Sequence, residues 1–406
     1  MTERMVRRSL VSQRVRNLAP SPIRRFFELV ESMPDAISLS VGEPDFITPW
    51  HAREAAIFAL EKGFTHYTPN RGILELRQEI ARYLASRFGV AYDPESEILV
   101  TVGVSEALDL GLRTLLDPGD GAIIPEPCYV SYRPNTELVG GTPLGVVTRE
   151  EDAFRVTPAA IAEVADRPSG DPEGRPQDGP RGRAKVLLLG YPSNPTGAVL
   201  GREDLAAIAE VVEARDLIVI ADELYAELTY DGDHVSFASM PRMRERTVLL
   251  SGFSKGFAMT GWRLGFAAGP AEIIAAMTKI HGYTMLSAPG VAQKAAVESL
   301  RYGLKEVERM RREYDQRRHV VLKRLREMGL PCFEPRGAFY VFPSIRGAGL
   351  SSEDFAERLL LEEKVAVVPG NAFGACGEGH IRICYATAMA DLQEAMARMA
   401  RFVGRR

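Results

Sequence analysis

Along the middle of the chain, short runs of apolar and β-branched residues alternate with stretches in which apolar residues return every three or four positions. The runs at 98–102, 121–124, 185–189, 217–221 and 247–250 predict strands. Several are apolar throughout, as strands covered on both faces are. Between them, 106–116 and 202–214 carry the spacing of helices that bury one face. Strand and helix alternating in this way predict a mostly parallel sheet with crossover helices. After Pro289 the texture changes to a charged helical run over 290–328, strand-like pieces at 339–342 and 381–385, and a last helix from Asp391. The predicted organisation is a large α/β domain over 48–290 and a smaller α+β domain over 291–406. Residues 1–47 form an N-terminal arm and part of the small domain. Segment 166–183, dense in Pro, Gly and charge, reads as a flexible surface insertion.

Composition adds boundaries to this picture. At 406 residues the chain exceeds what one core of roughly 250–300 residues holds, so two lobes are expected. With 46% hydrophobic and 26% charged residues, disorder is excluded as the dominant state. The balance of 50 Lys+Arg against 54 Asp+Glu gives no footprint for nucleic acid or a membrane surface. The N-terminal twenty residues have several arginines but no apolar core, and no stretch approaches the ~20 apolar residues of a membrane span. Cys128, Cys332, Cys376 and Cys384 are scattered without C-x-x-C spacing. A soluble, unexported, cytoplasmic protein is therefore expected. The six histidines show no H-x-x-x-H spacing, so no metal site is expected.

Candidate chemistry concentrates at the ends of the predicted strands. In SGFSKGFAMTGWRLG, 251–265, Lys255 follows an apolar strand in a stretch without further charge until Arg263. A lysine in a partly desolvated cleft has a lowered pKa and is suited to Schiff-base chemistry; the plain alternative is a strand-end lysine reaching water. Asp222 closes the strand LIVIA, with Tyr225 three residues on, where α/β sheets bind ligands; the plain alternative, a helix cap, is the lesser reading. GYPSNPTGAV, 190–199, ends another strand in a turn containing Asn194. In TVGVSEALDLGL the backbone N–H groups around Val104 and Ser105 make an anion site at a helix N-terminus. A rival from another class exists: GFSKG satisfies G-x-S-x-G, with Ser254 as a hydrolase nucleophile and His281, His319 or His380 as base.

Taken together, these motifs in this order resemble the class I/II aminotransferases, the fold-type I pyridoxal-phosphate enzymes, from SVGEPDF at Ser40 to HIRICYA at His380. The resemblance implies pyridoxal 5′-phosphate as cofactor and amino-group transfer from an L-amino acid to a 2-oxo acid such as 2-oxoglutarate. It makes Lys255 the cofactor tether and proton shuttle, and Asp222 the partner of the pyridine nitrogen. Tyr225 and Asn194 would bond the phenolic oxygen, and Tyr129 would stack on the ring. Arg263 and Ser254 would grip the phosphate with the Val104–Ser105 backbone. The serine that many members carry three residues before the lysine is here Gly252. Arg382 would bind the substrate carboxylate in two parallel bonds, beside Gly42 and Asn194. Tyr67 resembles the tyrosine that crosses a homodimer interface to the neighbour's phosphate. Ser105 stands where some aspartate-specific members place a lysine. YPSNPTG, DELYAELTYD, GAFYVFPSI and GEGHIRICYA together look like the bacterial group that includes N-acetyl-LL-diaminopimelate aminotransferase; aromatic and aspartate donors remain open. A β-lyase on the same scaffold shares all these residues.

Overall fold

The computed structural model describes residues 10–18, 33–167 and 183–405. Most of 166–183, and with it the expected insertion, lies outside the described residues. At the N-terminus, α1 (Gln13–Asn17) is exposed, and Arg14 donates to the Leu138 carbonyl at 2.8 Å. Strand β1 (Ile37–Ser38) and helices α2 (Trp50–Glu61) and α3 (Leu74–Phe88) follow.

The body of the fold is a seven-stranded sheet. Its members are β2 (Ile98–Thr101), β3 (Gly121–Glu126), β4 (Thr142–Val147), β5 (Ala184–Gly190), β6 (Ile218–Asp222), β7 (Thr247–Gly252) and β8 (Gly265–Ala268), in the order β2-β8-β7-β6-β5-β3-β4. Among the described strands, β8 runs opposite to the other six. The parallel strands are joined through α4 (Gly103–Leu115), α5 (Tyr132–Leu138), α6 (Pro158–Ala165) and α7 (Arg202–Ala214).

Strand alternation explains why the runs are apolar throughout. Leu187, Leu189 and Val219 face a core with Ile161, Leu205 and Ile208 of α6 and α7. Val186, Leu188 and Ile220 face another, with Leu108 and Leu112 of α4 and Ile274 and Met277 of α8 (Ala271–Thr284). Each such side chain contributes about 1.5–3 kcal/mol on burial, so both faces must be apolar.

The helical run at 290–328 is two helices, α9 (Gly290–Tyr302) and α10 (Leu304–Glu327), where one was expected. The break falls at Gly303, where an added Cβ would lie 2.5 Å from the Ser299 carbonyl oxygen. The two buried faces differ. Ala292, Ala295 and Ala296 let α9 lie close to α2, whereas α10 buries the larger Val307, Met310 and Tyr314.

Beyond α10, β9 (Tyr340–Val341), β11 (Val368–Pro369) and β12 (Ile381–Cys384) form an antiparallel sheet in the order β11-β12-β9. It packs with α11 (Ser352–Glu363) and α12 (Met389–Gly404). Strand β10 (Val365–Ala366) pairs in parallel with β1, and the Cys384 N–H donates to the Leu39 carbonyl at 2.8 Å. The segment after β1 is thereby tied to the C-terminal layer just before Val41 and Gly42 reach the cleft between the two layers.

Candidate active site

The parallel register sets Gly190 beside Asp222 and Asp222 beside Leu250, so the loops after β5, β6 and β7 open side by side. They form one wall of a cavity of about 440 Å³. The opposite wall brings Tyr340 and Arg382 from the C-terminal layer and Val41–Glu43 from the N-terminal segment. Of the residues singled out in the sequence, Lys255, Asp222, Tyr225, Asn194, Tyr129, Val104, Ser105, Ser254, Arg263, Arg382 and Gly42 all line this cavity. Tyr67 does not; it is 83% exposed on the outer surface.

Lys255 reaches across the cleft, and its Nζ donates to the Gly42 carbonyl. Burial lowers its pKa to about 8, with Arg382 and Arg263 adding to the effect. Asp222 experiences the opposite: burial raises its carboxyl to about 6, although Oδ2 accepts from the Tyr132 hydroxyl at 2.8 Å and Oδ1 from the Leu224 N–H at 3.3 Å. Tyr132, three residues beyond Tyr129 and edge-on to it at 5.6 Å, was not read from the sequence. The signal was its place in YVSY, on the first turn of α5 directly over the strand end.

Arg382 is buried between two rings, with its guanidinium carbon 4.5 Å from the Tyr340 centroid and 4.9 Å from that of Phe373. Nη1 donates to Asn194 Oδ1 at 2.9 Å and Nη2 to the Ser40 carbonyl, while Nε has no partner among the described residues. Asn194 spends its carbonyl oxygen on Arg382 and keeps its amide hydrogens for another acceptor. Gly42 must lack a side chain, because a Cβ there would fall 2.1 Å from the Tyr340 hydroxyl oxygen.

The residues expected to form an anion site line the same cavity. Gly103 turns the chain from β2 into α4 at φ +72°, a conformation favouring glycine, and a Cβ added there would lie 2.8 Å from Arg263 Nη2. The turn is held from behind: Glu106 accepts from the Val102 N–H at 2.6 Å and lies 2.6 Å from His281 Nδ1. Gly252 has a local cause too. A Cβ at this position would meet the Gly265 Cα at 2.8 Å and the Leu264 carbonyl oxygen at 3.0 Å, so the β7–β8 pair leaves no space for a serine.

These features fit pyridoxal phosphate. A half-buried carboxylate with a raised pKa suits a cationic ring nitrogen, a lysine lowered toward neutrality suits a carbonyl carbon, and helix-end N–H groups with Arg263 suit a phosphate. The hydrolase reading fails on geometry. Turns, not a helix, follow Ser254. None of the three histidines lines the cavity that Ser254 lines: His281 is buried beside Glu106, His319 bonds the Asp315 carbonyl at 2.8 Å, and His380 stacks on Phe342 at 5.0 Å.

The aminotransferase class I and II family description matches residues 34–399. The chain is 46% identical to an aspartate aminotransferase of Pyrococcus abyssi, over 96% of this chain and 97% of that protein. It is 45% identical to aromatic-amino-acid aminotransferase 2 of Thermococcus litoralis, with the same coverage. The solved structure of an aromatic aminotransferase from Pyrococcus horikoshii is 47% identical and superposes with a TM-score of 0.86, over 94% of this chain and 99% of that one. Fold and site together define an α/β transferase of fold-type I. The chain belongs to the class I and II aminotransferases, a family that uses pyridoxal 5′-phosphate.

Proposed function

We propose that the cavity holds pyridoxal 5′-phosphate and that the enzyme uses it to move an amino group from an L-amino acid to a 2-oxo acid such as 2-oxoglutarate. The observation that carries this reading is that the Lys255 amine, the Asp222 carboxylate and the Arg382 guanidinium face one cavity from three separate segments. In this reading residues 48–290 form the cofactor-binding domain, and the C-terminal domain carries Arg382.

When bound, the cofactor supplies an electrophilic carbonyl carbon and an electron-withdrawing ring. The chain's residues do the rest. The Val104–Ser105 backbone, Ser254 and Arg263 would hold the phosphate. Asp222, oriented by Tyr132, would keep the ring nitrogen protonated, and Tyr225 and Asn194 would donate to the phenolic oxygen. Tyr129 would cover the ring face. Arg382 would take the substrate carboxylate beside Gly42, orienting the α-carbon so that Lys255 Nζ accepts its proton. A pKa near 8 keeps an appreciable neutral fraction of this amine at neutral pH.

The donor remains among aromatic amino acids, aspartate and N-acetyl-LL-diaminopimelate. Of the lining residues given no role above, Val41, Val130 and Leu108 are apolar, which favours an aromatic side chain over a charged one. The assembly in this reading is a homodimer, supported by the exposed apolar side chains of Phe58, Tyr67, Tyr283, Met285 and Leu286. They belong to neighbouring elements, since Asn70 touches Gly282 and Phe64 touches Gly290. Tyr67 would then complete the partner's phosphate site.

The test is the visible spectrum of the protein incubated with pyridoxal phosphate. Phenylalanine is expected to bleach the band, and 2-oxoglutarate to restore it. Absence of a band defeats the cofactor reading. Ammonia and pyruvate released without a keto-acid acceptor would assign elimination instead, and bleaching by aspartate or N-acetyl-LL-diaminopimelate but not phenylalanine would reassign the donor.

A further inference from the structure

Three residues of the site meet on Tyr340, which the sequence motifs contained but to which they assigned no role. Its hydroxyl lies 2.7 Å from that of Tyr225. Its ring lies under the Arg382 guanidinium at 4.5 Å, and its hydroxyl oxygen occupies the space that a side chain at Gly42 would need. The ring is 1% exposed and is fixed by edge contacts with Tyr225 at 5.8 Å and Phe339 at 4.9 Å. Its backbone pairs with Cys384 in the sheet that carries Arg382. Tyr340 is thus one of the residues through which the C-terminal layer touches the loop after β6, beside Ala338, whose N–H donates to the Leu228 carbonyl at 2.9 Å, and Phe339, whose ring lies 5.4 Å from that of Tyr225.

A phenol has one proton to donate and lone pairs to accept with. Either tyrosine can be the donor in the pair as it stands. On the cofactor reading above, Tyr225 spends its proton on the phenolic oxygen of the bound group, and the bond between the tyrosines must then be donated by Tyr340. We propose that Tyr340 is a positioning residue: its hydroxyl donates to Tyr225 and turns the Tyr225 proton into the cavity, while its ring braces Arg382 for the substrate carboxylate. Linked hydrogen bonds polarise one another, so Tyr225 is the stronger donor with Tyr340 behind it. Burial raises the pKa of both phenols, so both protons are present for this chain of bonds at neutral pH. The charged and titratable groups facing the pair are Arg382, Cys384 and Tyr129, with Lys255 next to Cys384.

This inference rests on the cofactor reading and adds to it a single residue that serves both ends of the reaction. The test uses enzyme loaded with pyridoxal phosphate and two readouts other than turnover: the pH midpoint of the bound cofactor's visible band, and the dissociation constant of propionate read from that band. Tyr340→Phe is expected to raise the midpoint by about half a pH unit, because weaker donation favours the protonated form of the acceptor. It leaves propionate binding within about twofold, since the ring remains. Tyr340→Leu is expected to raise the midpoint similarly and to weaken propionate about tenfold, through loss of a desolvated cation–ring contact. Should the leucine variant not fold, Tyr340→Met, a closer match in volume, takes its place. A midpoint unmoved in Tyr340→Phe overturns the hydroxyl role, and parental propionate affinity in the ring-less variant overturns the bracing. A parent protein that develops no visible band fails at the earlier step, and both readings fall together.

Discussion

Burial works against Asp222 and Lys255 alike, and the two respond in opposite directions. The aspartate rises to about 6 and the lysine falls to about 8, so each carries its charge at a cost when the cavity holds water alone. For Asp222 the folded value lies above the ordinary 3.8, so its proton is bound more tightly in the folded chain, and stability is lost as pH rises from 3.8 through 6. Cofactor-free Asp222→Asn is therefore expected to be more stable than the parent at pH 7.5, by up to about 3 kcal/mol. That advantage should shrink toward zero near pH 4, where the parent's carboxyl is neutral as well. Urea unfolding at the two pH values checks it, and an equal gain at both would mean that charge is not the cause. The same variant should lose most of its transaminating activity. Both residues were legible because Asp222 directly follows an apolar run and Lys255 follows one after a short turn; Tyr132 and Tyr340 were not, because a tyrosine in an apolar motif reads as core until its hydroxyl partner is known.

At the scale of elements, the glycines where β7 pairs with β8 and at the start of α4 show how close backbone approach shapes the proposed phosphate site. Gly252 faces Gly265 across an antiparallel pair, and β8 runs opposite to the other described strands of the sheet. Gly252→Ser would press a side chain onto that backbone. The expected cost is about 1–3 kcal/mol, seen as a lower urea midpoint with an unchanged slope. A serine accepted without loss, with tighter cofactor binding, would mean that the strands separate easily and that the glycine has no packing cause. The alternation of strands and helices was readable from apolar periodicity. The division of 290–328 into two helices was not, because both halves carry helical spacing and the break depends on which neighbour each face meets.

At the scale of the whole molecule, Tyr67, Tyr283 and Phe58 are exposed by 83%, 90% and 58%, which is more aromatic surface than a chain gains by leaving to water. A homodimer is expected in sedimentation, and Phe58→Asp is expected to shift it toward half the mass. Tyr67→Phe, with the dimer intact, should weaken cofactor binding several-fold through loss of one hydrogen bond to phosphate. A parent that sediments as a monomer yet binds the cofactor fully would sink the shared-site reading.

Local sequence determined what depends on local rules: which runs become buried strands, which turns need glycine, and which residues stand at strand ends where ligands bind. It also determined the family, because YPSNPTG, DELYAELTYD and SGFSKGFAMTGWRLG are contiguous strings. Tertiary structure alone decided what depends on residues far apart in the chain. Lys255 meets the Gly42 carbonyl 213 positions away, Arg382 meets Ser40 across 342, and Tyr225 meets Tyr340 across 115. Periodicity is blind to such pairs, because it reports which face of an element is buried and not what covers it. Only closure of the C-terminal layer over the sheet turned separate strand ends into one cavity, and only burial there moved Asp222 and Lys255 toward the pH range in which proton transfer is useful.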